Sequence, residues 1–123
     1  MIRGFLTAFS ALFLLAVPAA ADEMELVMIE EAGCIFCARW HSEVGPEYPI
    51  TPEGQAAPLR RVDLHSDLPS DLILVSRPRF TPTFILVNDG RELARIEGYP
   101  GEDFFWGLLS RMLVEAGVPL PAL

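Results

Sequence analysis

The chain has 123 residues and a strongly acidic composition. It carries 9 basic residues, all of them arginine, against 17 acidic ones, which gives a formal net charge of −8. Such acidity opposes binding to nucleic acid or to anionic lipid headgroups, so we expect neither as a partner. The length is enough for one small domain with a single core and excludes a second domain.

Residues 1–21 have the pattern of a secretory signal peptide. An arginine near the start, an apolar stretch after it and three alanines ending at Ala21 match the three regions of such a signal. The apolar stretch is short for a membrane span and Pro18 breaks it, so we expect cleavage after Ala21 rather than an uncleaved anchor. The exported domain would then be residues 22–123, with no stable membrane insertion.

The chain has two cysteines, Cys34 and Cys37, at the point where a predicted buried strand (25–30) gives way to a predicted helix (34–44). Unpaired N–H groups and the positive end of the dipole at a helix start stabilise an anion there. We therefore expect Cys34 to be a reactive thiolate and Cys37, one turn further in, to be a shielded resolving thiol. A structural bridge across so short a loop would add little stability.

The middle of the chain gives weaker signals. Residues 45–58 are rich in proline and glycine, so we expect neither a strand nor a regular helix there. Residues 59–64 predict a second strand, although Arg60 and Arg61 interrupt its apolar pattern. Residues 69–75 predict a short helix.

Two strands, 83–87 and 92–97, are predicted on either side of Asn88-Asp89-Gly90, a strong hairpin signal. An amphipathic helix follows, ended by Gly117 and Pro119. Its predicted apolar face consists of Phe105, Leu108, Leu109, Met112, Leu113 and Ala116. The first two strands and the helix between them would form a parallel strand–helix–strand unit, which makes the chain an α/β protein.

Together with Phe80-Thr-Pro-Thr-Phe84, these elements resemble the thioredoxin superfamily over nearly the whole exported domain. The resemblance implies a thioredoxin fold: a central four-stranded mixed sheet flanked by helices, without the extra N-terminal strand and helix of full thioredoxin. It also implies a cis proline at Pro82, facing the cysteines. The backbone of Thr81 would then pair with an extended substrate segment.

Within the superfamily, Gly33 to Cys37 is most similar to the small periplasmic thioredoxins of the SoxS type, which accompany bacterial sulfur oxidation. These proteins also have a glycine before the first cysteine and an aliphatic and an aromatic residue between the two. The resemblance implies a periplasmic thiol–disulfide oxidoreductase that reduces disulfides or mixed disulfides of a partner protein, such as a sulfur-oxidation carrier. It implies a membrane thiol donor as the source of electrons, and no cofactor or metal besides the Cys34–Cys37 disulfide. We expect the protein to be a monomer.

The buried acidic residue of many thioredoxins falls on Met28 in this chain, so a proton acceptor for Cys37 must come from elsewhere. His41 is one candidate, because it lies one helical turn beyond Cys37 and an imidazole accepts protons near neutral pH. The alternative is a surface histidine without a partner. Glu30 and Glu31 are weaker candidates.

Exposed side chains around the cysteines are candidates for substrate binding. Ile35 and Phe36 lie between the cysteines, in the first turn of the predicted helix, so we expect them to contact substrate. Trp40 is one turn beyond Phe36 and is expected in the core. Arg77 and Arg79 precede the Pro82 loop and could steer an acidic partner, although an ordinary solvated loop is favoured.

Two other functions use the same residues. Cys34, Cys37 and His41, with His65 as a distant fourth ligand, suit copper or zinc, which would make the protein a metal chaperone. A disulfide oxidant or isomerase would keep the fold and change the direction of electron flow, which depends on the reduction potential. The uncharged side chains between the cysteines favour a reductant.

Overall fold

The structure is a computed structural model that describes residues 4, 13–15 and 23–121. The predicted signal peptide, residues 1–21, lies almost wholly outside the described residues, and its cleavage stays a prediction. Among the described residues, no helix combines the length and the hydropathy that a membrane span requires.

Four strands form a single mixed sheet in the order β2-β1-β3-β4. β2 runs parallel to β1, whereas β3 is antiparallel to both β1 and β4. In chain order the elements are β1 (Met24–Glu30), α1 (Ile35–Glu43), a short 3-10 helix (Tyr48–Ile50), α2 (Pro52–Ala56), β2 (Leu59–Asp63), β3 (Thr83–Asn88), β4 (Arg91–Glu97) and α3 (Glu102–Glu115). The predicted strand–helix–strand unit and hairpin are both confirmed.

The β3–β4 turn is built on Asp89 and Gly90, whose φ angles of 49° and 81° lie in the left-handed region. Such a pair is typical of the turn that matches the twist of two hairpin strands. The N–H of Glu23 donates to the Asp89 carboxylate at 3.0 Å, and the N–H of Asp89 donates to the Glu23 carbonyl at 2.8 Å. The start of β1 is thereby fixed beside this turn, at the end of the sheet opposite the cysteines.

The main core lies between the sheet and helices α1 and α3. Trp40 of α1 is fully buried, as predicted, and its ring centre lies 5.4 Å from Phe84 of β3 and 5.7 Å from Phe105 of α3. Each aromatic contact of this kind adds about 0.5–1.5 kcal/mol beyond the burial of its area. The contacts of Trp40 therefore hold the active-site helix against both the sheet and the last helix.

The prediction for α3 is correct except at Leu108. The buried stripe of this helix consists of Phe105, Leu109, Met112 and Leu113, and Leu108 is 37% exposed at its edge. The helix ends as predicted: Gly117 has a φ of 84°, and the N–H of Val118 donates to the Leu113 carbonyl at 2.9 Å. This pairing is typical of a glycine-ended helix.

The prediction of a helix over residues 69–75 is wrong. The segment makes a turn and then pairs with the edge of the hairpin: Ile73 donates to the Gly90 carbonyl at 2.8 Å and accepts from the Glu92 N–H at 3.0 Å. Its leucines cover the second face of the sheet, where Val27, Ile29, Val62, Ile85 and Val87 are buried. Long-range pairing and burial, rather than helix propensity, determine this segment.

The prediction for residues 45–58 is also wrong in part, because a short helix, α2, forms there. The Thr51 hydroxyl caps it by accepting the N–H of Gly54 at 3.1 Å, and Pro52 occupies the first helical position, where its missing N–H costs nothing. Gly54 allows a close approach, since a Cβ there would lie 1.7 Å from the Tyr48 carbonyl oxygen.

Candidate active site

The two cysteines lie at the carboxyl end of β1, where the chain turns into α1. Cys34 is the cap residue of α1, and it forms a disulfide with Cys37, with a Cα–Cα distance of 5.2 Å. The N–H of Cys37 donates to the Cys34 sulfur at 3.1 Å. When the disulfide is reduced, this donor and the helix dipole would stabilise a thiolate on Cys34.

The cysteines differ in access. Cys34 is partly exposed, whereas Cys37 is 3% exposed and belongs to the main core. A substrate sulfur can therefore reach Cys34 from solvent but not Cys37. The predicted division into an attacking and a resolving thiol requires this asymmetry.

The loop before β3 is joined to the cysteine loop through Glu31. The Thr81 hydroxyl donates to the Glu31 carboxylate at 3.0 Å, and the N–H of Cys34 donates to the Glu31 carbonyl at 3.3 Å. The Thr81–Pro82 peptide bond is cis, as the family resemblance implied. The N–H of Gly98 holds the other side of this loop by donating to the Pro82 carbonyl at 2.7 Å.

His41 has a partner, so its interpretation as an isolated surface histidine is wrong. Its Nε2 lies 3.0 Å from the Glu30 carboxylate, which also accepts from Arg61. Burial raises the pKa of Glu30, but the hydrogen bonds from Arg61 and His41 lower it more, so its pKa lies below the usual value. Glu30 is therefore a carboxylate at neutral pH.

Both members of this pair line a groove of about 400 Å³ beside the disulfide. Cys34 and Cys37 line the same groove, so His41 and the resolving cysteine share one cavity. Met28, on the strand behind, is fully buried within the main core. The first acidic residue after Met28 on β1 is Glu30, at the end of the strand.

Glu31 and His65 pair with each other rather than with the cysteines. The His65 Nε2 lies 2.6 Å from the Glu31 carboxylate, and this hydrogen bond is the main reason why the pKa of Glu31 lies below its usual value. His65 is thus not brought to the two cysteines and His41. Across residues 23–121, no group of three or more His, Cys, Asp or Glu side chains is placed to hold a metal ion.

Exposed apolar side chains surround the disulfide. Ile35 is 73% exposed and Phe36 52% exposed, which confirms the exposure predicted for Phe36, while their contact with substrate stays a prediction. Phe80, next to Thr81, is 60% exposed and was not predicted as a surface residue. Its place directly before the Thr-Pro pair was the only signal in the sequence that could have indicated it.

A thioredoxin fold with a C-x-x-C pair at a helix start defines a thiol–disulfide oxidoreductase, and the comparisons with known proteins agree. The structure is similar to the crystal structure of the reduced periplasmic thioredoxin SoxS from Paracoccus pantotrophus, with 49% identity and a TM-score of 0.75. The match covers 76% of this chain and 99% of that one. The chain therefore belongs to the SoxS family of the thioredoxin superfamily.

More distant similarities show the fold alone. The thioredoxin-2 of the malaria parasite matches with 18% identity and a TM-score of 0.52, over 73% of this chain and 84% of that one. The thioredoxin of Fasciola hepatica matches with 17% identity and a TM-score of 0.51, over 73% and 81%. No family model and no curated protein matches the chain.

Proposed function

We propose that the protein is a periplasmic reductant that restores thiols in a partner protein. The observation that carries the exchange chemistry is the asymmetry of the cysteine pair, and the uncharged side chains between the cysteines support the direction of a reductant. The Cys34 sulfur is partly exposed and accepts the N–H of Cys37, while the Cys37 side chain is buried. A thiol held like Cys34 attacks outward, and one held like Cys37 attacks only its neighbour.

The reaction is a two-electron exchange. The Cys34 thiolate attacks one sulfur of the partner's disulfide, forms a mixed disulfide and expels the other sulfur, which takes up a proton. Cys37 then loses its proton and attacks the Cys34 sulfur, which breaks the mixed disulfide and releases the second partner thiol. The partner gains two thiols, and the protein ends with the disulfide that the structure contains.

His41 accepts the proton of Cys37 in this scheme. A neutral imidazole that donates its Nε2 proton to Glu30 keeps Nδ1 as an acceptor. The shared groove and the spacing of one helical turn support this role. The Glu30 carboxylate stabilises the imidazolium that forms, so the Glu30–His41 pair takes over the task of the acid that Met28 replaces.

The partner binds as an extended segment across the backbone of Thr81, beside Pro82, with its disulfide over Cys34. Ile35 and Phe36 supply exposed apolar contacts for it. The protein works as a monomer in this scheme and needs no cofactor. A membrane thiol donor reduces it again by a second exchange of the same kind.

Three observations support the compartment and the partner. The pattern of residues 1–21 predicts export, and the SoxS structure is that of a periplasmic thioredoxin. The resemblance of Gly33 to Cys37 to SoxS-type proteins supports a sulfur-oxidation carrier as the partner that is reduced.

The reduction potential of the Cys34–Cys37 couple tests the direction of electron flow. The purified metal-free protein is equilibrated in glutathione or dithiothreitol buffers, with Cys34→Ser as the control that forms no internal disulfide. We expect a value near the roughly −270 mV of thioredoxin, and a value near roughly −120 mV would make the protein a disulfide donor instead. Without any reversible couple, the proposal fails altogether.

A further inference from the structure

Residues 77–80, with the sequence Arg-Pro-Arg-Phe, lead directly into the Thr81-Pro82 loop. We propose that this segment binds acidic side chains of the partner protein, next to the disulfide that is exchanged. The inference rests on the proposed function and adds to it the chemistry of the partner segment.

Arg77 and Arg79 differ from most other arginines of this chain. Neither side chain makes a hydrogen bond or an ion pair with any residue from 23 to 121. Of the other six arginines in that range, five have a carboxylate oxygen within 3.4 Å: Arg39, Arg60, Arg61, Arg95 and Arg111. In a chain with 17 acidic residues, two unpaired arginines on either side of Pro78 leave positive charge free for a ligand from outside.

The backbone that carries these two arginines is anchored. Arg95 donates to the Ser76 carbonyl at 2.9 Å before the segment, and the Thr83 hydroxyl donates to the Phe80 carbonyl at 2.7 Å after it. Pro78, between the arginines, is buried, while the arginines themselves are exposed. The guanidinium groups therefore extend from a fixed base, which reduces the entropy lost when they bind.

The two arginines line the same hollow, of about 170 Å³, together with Phe80 and Arg95. The hollow has a single carboxylate, that of Glu97, which lies 3.8 Å from Arg95. Arg95 is already paired with Glu92 as well as with Glu97, so Arg77 and Arg79 alone supply the local excess of positive charge. Phe80 adds an exposed apolar ring, so the hollow suits a peptide that carries carboxylates beside an apolar residue.

The spacing predicts where those carboxylates lie in the partner. An extended chain advances about 3.3 Å per residue, so Arg79 and Arg77 lie at most roughly 7 and 13 Å from Thr81. A partner segment paired with the Thr81 backbone brings its own residues two and four positions from its cysteine beside them. These are the positions at which acidic residues are expected.

The overall charge gives this inference a distinctive salt dependence. A chain of net charge −8 repels an acidic peptide at long range, and only the local excess of arginine attracts it. Salt weakens both effects. With the two arginines present, salt should slow the reaction with an acidic peptide, and without them salt should accelerate it.

The test compares three disulfide peptides of equal length: an acidic one with Asp, a neutral one with Asn and a basic one with Arg. In each peptide these residues stand two and four positions from the cysteine, on both sides of it. The second-order rate of exchange with the reduced protein is followed by stopped-flow tryptophan fluorescence at low and high salt. We expect the acidic peptide to react about threefold to tenfold faster than the neutral one at low salt. The double variant Arg77→Gln/Arg79→Gln should lose this preference and show the reversed salt dependence.

A variant with the same change in charge serves as the control. Arg91→Gln/Arg111→Gln alters the hairpin end of β4 and the exposed side of α3, and it should keep the preference for the acidic peptide. The inference is overturned by equal rates for all three peptides, by a preference that survives in the Arg77/Arg79 variant, or by an equal loss in the control. Equal exchange with every peptide leaves the proposed function standing, whereas no exchange with any of them overturns both.

Discussion

Replacing His41 with alanine should slow the second step of the reaction and leave the first step intact. In the proposed scheme the first step, attack by Cys34, depends on the helix start and transfers no proton to His41. The second step requires Cys37 to lose a proton, and His41 shares the groove of Cys37. Loss of the imidazole therefore delays the release of the partner from the mixed disulfide.

The size of the effect follows from the burial of the groups involved. Cys37 is 3% exposed, so its thiolate forms in an apolar setting, where the charged state is disfavoured. A positioned base contributes about 10²–10⁴-fold to such a step. Because the groove is open to solvent, water replaces His41 in part, and we expect a loss of roughly tenfold to hundredfold.

The carboxylate behind the imidazole should matter less. Glu30→Gln keeps a hydrogen bond to His41 but removes the charge that stabilises the imidazolium. A partly exposed ion pair contributes about 0.2–1 kcal/mol, which corresponds to a factor of at most about five in rate. We therefore expect the rate of the second step in Glu30→Gln to lie between the rates in the wild type and in His41→Ala.

A chromogenic aromatic disulfide separates the two steps, because one coloured thiol leaves at each of them. The first release depends on reagent concentration, and the second is unimolecular. His65→Ala is the matched control, since His65 also pairs with a glutamate but does not line the groove of the cysteines. An unchanged unimolecular rate in His41→Ala, or an equal fall in both rates, would refute the assignment of His41 as the proton acceptor.

Two predictions concern stability, measured by urea denaturation. Gly54→Ala places a Cβ 1.7 Å from the Tyr48 carbonyl oxygen and should lower the free energy of unfolding by about 1–3 kcal/mol or more. Gly107→Ala, with open space around it in α3, should raise it by about 0.5–1 kcal/mol. Similar effects of the two changes would contradict this packing. The pKa of Glu30 lies below the usual 4.5, so its pairing with Arg61 adds stability above that pH, and this stability is lost as the pH falls through the lowered pKa. Glu30→Gln should therefore flatten the fall in the free energy of unfolding below pH 4.5, and an unchanged slope would show that Glu30 contributes nothing to it.

The parts of the fold that could be predicted depend on local signals. The Cys34–Cys37 spacing at a strand-to-helix junction and the Asp89-Gly90 turn each lie within a few residues, so pattern alone indicates the outcome. Residues 69–75 could not be assigned in this way. Their conformation depends on backbone groups of Gly90 and Glu92, roughly twenty residues further along the chain, which become available only once the hairpin has formed.

The same limit applies to the site. The distance in sequence between Glu31 and Thr81 is 50 residues, and their hydrogen bond exists because β3 pairs with β1. Spacing along one helix suggested His41, but it could not show that Glu30 of the preceding strand would hold the ring. Residues on a single element can be grouped from sequence, whereas partners supplied by other elements require the fold.

The attachment of Glu23 beside the Asp89 turn has a practical consequence for handling the protein. It places the entry of the chain into the domain at the end of the sheet opposite the cysteines, about 20 Å away along β1. All basic residues are arginine, so the α-amino group is the only primary amine in the chain. If residues 1–21 are removed as predicted, amine coupling to an electrode or bead should therefore immobilise every molecule through one point and leave the disulfide facing the solution.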